Sequence, residues 1–272
     1  MEFIGKGQPL TRKGLTAALD RLGLGPGDAA YIWTIVEVET AGVTQGFGFR
    51  SDGRPQILFE RHKLREFTSR RFDDEAPDIS GAAGGYGLLG AQYARLEKAL
   101  SLCEREGLGV EPALKSASWG MGQVMGFNHE VAGFASAAEM VEAMKSGEDA
   151  QLAAMAGFLI GNGLTHALLR KDWASFAKRY NGQDYWKNKY DIKLAEQYQR
   201  FSSGSQPNLE IRTAQAALFF LGYSPGKIDG VIGPRTRGAL RSFRIAAGLS
   251  GGDDLDGETY QALCEKASFD HD

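Results

Sequence analysis

The stretch 31-YIWTIVEVETAGVTQGFGFRSDGRPQILFERH-62 decides how the chain is read. Ile32, Ile35, Val36 and Val38 recur at helical spacing, which predicts a helix ending near Thr40–Gly42. Glu39 then lies in its last turn. Gly46 to Arg50 reads as a strand, Ser51-Asp52-Gly53 as a turn, and Gln56 to Phe59 as the return strand of a hairpin. Glu60 closes that strand. A single helix-and-hairpin unit therefore carries two carboxylates that can face each other across a cleft. Glutamates at element ends are ordinarily solvated surface. Glu37 and Glu39 stand two apart and point to different sides of the helix, so one of them is expected to be surface only.

With 272 residues, the chain has room for one large domain or two unequal ones. A composition of 43% hydrophobic and 24% charged residues is that of an ordinary globular protein. The net charge of −3 argues against a nucleic-acid partner. Cys103 and Cys264 are far apart in sequence and are expected to be free thiols in different domains. The opening MEFIGKGQPLTRKG has no apolar core of signal-peptide length, and no stretch suits a membrane span. Synthesis in the cytoplasm without a signal peptide, no membrane partner and a monomeric state are the expectations. Action outside the cell would need another agent to let the protein out.

Thr11 to Leu22 reads as a short amphipathic helix, with Asp28 as the cap of the helix leading to Glu39. The glycine-rich passage from Thr68 to Gly90 is long for a loop inside a compact domain, and reads equally as a functional loop or as plain surface. From Ala91 the pattern is helical: Ala91–Glu106, Glu111–Ser118, Ala135–Lys145, Asp149–Ile160, Leu164–Leu169, Trp173–Tyr180 and Tyr185–Phe201. Ser202-Ser203-Gly204-Ser205-Gln206-Pro207 has linker composition and implies few contacts between the parts it joins. Helices over Ile211–Leu221, Thr236–Ala246 and Thr259–Ala267 follow, the last capped by Asp256. Together they make a module of about 60 residues, near the lower size for independent folding. The fold class is therefore mostly α, with domains at 1–202 and 208–272 and a linker at 203–207.

Three motifs then align. Val38-Glu39-Thr40 closes one helix, Gly120-Met121-Gly122-Gln123 follows Ser118-Trp119, and Tyr180-Asn181-Gly182 ends another helix. Their order resembles the lysozyme-like superfamily. With the hairpin end Ile57-Leu58-Phe59-Glu60-Arg61-His62 and the run Trp173…Phe176-Ala177, it resembles the N-acetylmuramidase domain of bacteriophage endolysins over about residues 10–200. Gly122 departs from relatives that often carry a large side chain there, which implies a locally wider cleft. The tail residues Gln215, Leu218, Leu221-Gly222-Tyr223, Asp229-Gly230, Gly233-Pro234-Arg235-Thr236, Leu240 and Phe243 are similar to the three-helix peptidoglycan-binding module. Arg244 stands where many members have Gln.

The resemblance implies a lysozyme-like α domain with a small β-hairpin, plus a small three-helix bundle. It makes peptidoglycan the partner and the cell wall the place of action. Glu39 becomes the general acid that protonates the glycosidic oxygen, which requires a raised pKa. Glu60 is the candidate second carboxylate, with Asp73 or Asp74 as the alternative; the gap between the two carboxylates separates retention from inversion. Ser118, Trp119, Gln123, Tyr180 and Asn181 are assigned to saccharide binding, although Trp119 reads slightly better as core. In the tail, Asp229, Gly230, Gly233 and Thr236 shape the binding groove and also serve as structure. His62 pairs with Glu60 or is a surface imidazole, the second being the better reading. His62, His129, His166 and His271 have no zinc-ligand spacing, so no metal or cofactor is expected. Cys103, mid-helix and apolar, does not read as a nucleophile. The reading is a muramidase that cleaves the β-1,4 bond between N-acetylmuramic acid and N-acetylglucosamine. A lytic transglycosylase leaving anhydro-muramic ends, or a non-catalytic wall-binding protein, stand as alternatives.

Overall fold

The computed structural model describes residues 2–40 and 46–270. The helices, in chain order, are α1 (Arg12–Arg21), α2 (Ala29–Thr40), α3 (Arg61–Phe67), α4 (Gln92–Arg105), α5 (Glu111–Lys115), α6 (His129–Ala132), α7 (Ala137–Met144), α8 (Glu148–Gly161), α9 (Thr165–Leu169), α10 (Trp173–Tyr180), α11 (Tyr190–Ser203), α12 (Leu209–Phe220), α13 (Pro234–Ala247) and α14 (Gly257–Ala267). The strands are β1 (Ile57–Phe59), β2 (Ala117–Trp119) and β3 (Val124–Met125), forming an antiparallel sheet in that order. The fold is thus mostly α, as the sequence indicates. The expected end of the second helix at Thr40–Gly42 runs into residues outside those described.

Helix α2 is the axis of the larger part. Every residue from Ala29 to Val36 is buried, so it is a central helix and not an amphipathic surface one. Helix α11 lies along it, and Tyr198 of α11 packs on Tyr31 with ring centroids 4.7 Å apart. Asp28 does not cap α2. It closes a 3-10 turn at Pro26–Asp28, where its Oδ2 accepts from Gly25 N at 2.9 Å.

The hairpin is present but slight. Arg50 N donates to Arg54 O at 2.8 Å, and a single bridge joins Phe49 to Pro55. The return strand pairs instead with a segment sixty residues on: Ile57 opposes Trp119, and Phe59 opposes Ala117. That segment reads as helix from local pattern up to Ser118, yet the helix stops at Lys115. The glycine-rich passage is pinned. Phe72, Ala76 and Ile79 are fully buried. Arg95 donates to Asp78 O and Tyr86 O at 2.6 and 2.7 Å, and Arg61 donates to Ala82 O at 2.6 Å.

The two parts of the chain are not loosely tethered, contrary to what the linker composition implies. The carboxylate of Glu148, at the first turn of α8, is completely buried and collects four donors. Leu10 N reaches Oε2 at 2.9 Å and Gly48 N reaches Oε1 at 2.9 Å. Arg212 of α12, itself 1% exposed, supplies Nη1 to Oε2 and Nη2 to Oε1. Arg212 Nη2 also donates to Gly46 O at 2.7 Å. Next to this pair, Phe47 and Phe49 leave the first core and join the second, among Leu218, Ile228, Leu240, Phe243 and Leu263. A three-helix module too small for an ample core of its own is completed by two aromatic rings from the other part. Burying each such ring is worth about 1.5–3 kcal/mol.

Removing one member of a buried ion pair leaves the other charge uncompensated. Arg212→Met is therefore expected to cost about 3–5 kcal/mol in urea unfolding, against far less for an exposed arginine such as Arg241. The two parts of the native chain are also expected to unfold together. Separate transitions reported by tryptophan fluorescence and by overall helicity would contradict the docked arrangement.

Candidate active site

Glu39 sits one residue before the end of α2. The residue as a whole is of intermediate exposure, but the protein around its carboxyl withdraws water. Burial alone pushes its pKa from 4.5 up to about 8. The hydroxyl of Tyr190, the first residue of α11, donates to Glu39 Oε1. Tyr180, at the end of α10, stacks between Phe176 and Tyr190, at centroid distances of 5.4 and 6.3 Å. The Tyr180 hydroxyl donates to Gly122 O at 2.7 Å, and its pKa is held well above 10, first by burial and then by Glu39. Two tyrosines from distant helices thus wall the carboxyl of Glu39.

From Gly122 the connections run into the sheet. The turn Gly120–Gln123 joins β2 to β3. Gln123 is not glycine, yet its φ is +45°, a conformation that costs free energy and clusters at working sites. Ser118 Oγ donates to Gln123 Oε1 at 2.8 Å, and Gln123 Nε2 donates to Gly120 O at 2.7 Å. An amide has two donor hydrogens and two acceptor lone pairs, so Gln123 keeps one of each for a ligand. Ser118 is buried and aims Gln123. It stands opposite Leu58, two residues before Glu60.

Glu60 ends β1 immediately before α3, and its N–H donates to Ser116 O at 2.8 Å. His62 Nδ1 lies 3.1 Å from Glu60 Oε2, so the pairing reading of His62 holds over the surface one. The contact lacks hydrogen-bond geometry, and both atoms are buried without another hydrogen-bond partner among the described residues. Tyr86, from the glycine-rich passage, faces Glu60; burial first, and then the charge of Glu60, raises the pKa of its hydroxyl. Asp73 is committed elsewhere. Ser80 Oγ donates to it at 2.7 Å and Arg65 Nε at 2.9 Å, and the Ser80 bond leads in holding its pKa low. Asp74 is exposed.

Some sequence assignments need correction. Trp119 is fully buried, with Nε1 donating to Leu114 O at 3.1 Å and its ring 5.8 Å from that of Phe3. It has no face left for a sugar and is core. Gly122 does not widen the cleft, because a Cβ there would meet the Cβ and Cγ of Met155 at 2.8–2.9 Å. The glycine lets the turn lie against α8. Asn181 is exposed just beyond α10. In the tail, Asp229, Gly230 and Thr236 converge on the buried amide of Gln215. Its Oε1 accepts from Asp229 N and Gly230 N at 3.1 and 2.9 Å, and its Nε2 donates to Thr236 Oγ1 at 3.2 Å. Gly233 is the N-cap of α13. Asp229, Gly233 and Thr236, but not Gly230, line a concavity of about 410 Å³ that Lys227, Val231 and Arg235 also line. Arg244 ties α13 to α14, with Nη1 2.7 Å from Asp256 Oδ2. Cys103 is buried, with its thiol pKa pushed up to about 11, as an inert thiol should be.

A family model described as N-acetylmuramidase matches residues 28–202. The chain belongs to that family. Its members are glycoside hydrolases acting on peptidoglycan. A second model, described as a putative peptidoglycan binding domain, matches residues 207–263. Among solved structures, the chain is similar to the crystal structure of the Burkholderia AP3 phage endolysin. Identity is 36%, the match covers 72% of each chain, and the TM-score is 0.61. No curated protein sequence matches. Tyr190 and Tyr86 escaped the sequence reading of this muramidase domain. Tyr190 looks like any helical aromatic, and only the crossing of α11 on α2 brings it to Glu39.

The raised pKa of Glu39 has a consequence for stability. The folded carboxyl holds its proton up to about pH 8, and the unfolded one only to about 4.5. The stability tied to protonated Glu39 is thus complete below about pH 4.5 and is lost as pH rises through about 8. Glu39→Gln removes that dependence, so the native chain should lose stability relative to the variant as pH rises across this window. Parallel pH profiles in urea unfolding would show that Glu39 titrates normally.

Proposed function

We propose that this chain is an endolysin-type muramidase that hydrolyses the β-1,4 bond between N-acetylmuramic acid and N-acetylglucosamine, with Glu39 as general acid and Glu60 as the second carboxylate. The observation that carries the reading is the desolvated Glu39 carboxyl, protonated at neutral pH by burial and walled by Tyr180 and Tyr190. A proton on Glu39 is available to the leaving glycosidic oxygen. The resulting carboxylate is held by the Tyr190 hydroxyl. Glu60, on the strand end beside the Ser118–Gln123 pair, faces developing positive charge on the sugar or activates the attacking water. His62 Nδ1 lies 3.1 Å from Glu60 Oε2. Gln123 offers its free donor and acceptor to an N-acetyl or hydroxyl group. The tail holds the enzyme to the polymer, and the domain boundaries proposed are 1–202 and 208–272. A protein released into the periplasm would meet its substrate there.

Glu39→Gln keeps the shape of the side chain but cannot donate the proton. Lysis of purified sacculi is expected to fall on the order of 10²–10⁴-fold in a folded variant. Glu60→Gln is expected to impair hydrolysis as well. Mass spectrometry of the digest decides the reaction type: reducing muramic ends support hydrolysis, whereas anhydro-muramic ends would replace it with transglycosylation.

A further inference from the structure

Helix α2 carries a second glutamate, and the tail module holds it. Glu37, one of the two glutamates in the last turns of α2, is largely buried at 14% side-chain exposure. Lys227 of the tail donates to its Oε1, and Arg200 of α11 lies 3.7 Å from the same oxygen. The seam around this pair is lined by Trp33, Val36, Gly46, Phe201, Arg212 and Ile228, and encloses about 20 Å³, room for about one water. On its far side the Arg212 guanidinium lies 5.8 Å from the Trp33 ring on the same helix. A Cβ on Gly46 would come within 2.7 Å of Ile228 O, so the two backbones touch. The tail therefore grips α2 at Trp33 and at Glu37. Glu39, two residues beyond Glu37, rides on the turn that is gripped.

We propose that Lys227 is a positioning residue for Glu39, acting through Glu37 and α2, so that the wall-binding module completes the active site of the domain it is attached to. The proposal rests on Glu39 being the acid. A general acid works only within hydrogen-bond reach of the leaving oxygen, and a displacement of about 1 Å can cost on the order of 100-fold in rate. The last turn of a helix is where backbone positions are least constrained from within, because its carbonyls lack helical partners. An external clamp there fixes the Glu39 carboxyl against Tyr190. The module is then part of the catalytic geometry as well as an anchor.

The test uses the full chain and soluble, unbranched glycan chains too short to engage a sacculus-binding surface. Lys227→Met leaves Arg200 beside Glu37, so no buried charge is orphaned. Its melting temperature is expected to fall by no more than about 4 °C, as for loss of a partly exposed ion pair. The expected result is a fall in kcat of about tenfold with KM within about twofold of native, and recovery of most of kcat in Lys227→Arg. Native kcat in a folded Lys227→Met would overturn the proposal. So would a raised KM with unchanged kcat, which would make Lys227 a substrate contact. Glu39→Gln runs alongside. If it retains turnover, the acid assignment has failed; if it is inactive while Lys227→Met is fully active, only the coupling has failed.

Discussion

Four donors converge on the carboxylate of Glu148, and they come from three places in the chain: Leu10 near the start, Gly48 in the hairpin, and two nitrogens of Arg212 in the tail. A charge taken wholly out of water must be matched and its lone pairs filled, or it destabilises the fold. Here both conditions hold. The same carboxylate that opens α8 therefore sets where the N-terminal segment, the hairpin and the last domain meet. The placement of Phe47 and Phe49 in the second core follows from it, since their backbone is pinned at Gly46 and Gly48.

The site depends on that framework indirectly. As the proposed acid, Glu39 needs a dry carboxyl. Dryness comes from α2 being buried along most of its length, with α11 laid along it and Tyr180 of α10 near Glu39. Burial alone then favours the protonated carboxyl, without a neighbouring anion. The polar chain from Tyr180 through Gly122, Gln123 and Ser118 ties α10 to the strand that precedes Glu60. The left-handed backbone at Gln123 is the strained link in this chain, held by bonds at both ends of its amide.

Several elements were legible because their signals are local. Trp173–Tyr180, the cap of α14 at Asp256 and the stops after α1 and α4 follow from apolar spacing, capping chemistry and glycine. The ordered motifs around Glu39, Gln123 and Tyr180 likewise stand in the sequence as written. Of the sheet, only β1 was legible. Strands of two and three residues give no usable periodicity, and Ala117–Trp119 becomes a strand only because Ile57–Phe59, sixty residues earlier, offers it a partner. Asp28 has the right residue type for an N-cap of α2, but its side chain reaches back to Gly25 N and closes the preceding 3-10 turn instead.

The sequence by itself determined a mostly helical chain, the place of most of its longer helices though not of α3 or α6, and the residue types able to do acid chemistry on a saccharide. It did so because capping, turn chemistry and hydrophobic period act over less than about ten residues. Tertiary structure alone decided which residues gather around Glu39 and which are scaffold. Trp119 went to the core, Gln215 took over the Asp-Gly turn, and Tyr190 arrived beside Glu39. It also decided that a serine- and glycine-rich joint connects two tightly docked parts. Linker composition reports the freedom of the joint itself, whereas docking depends on buried charge and shape brought together from residues 10, 48, 148 and 212. No local pattern encodes that meeting.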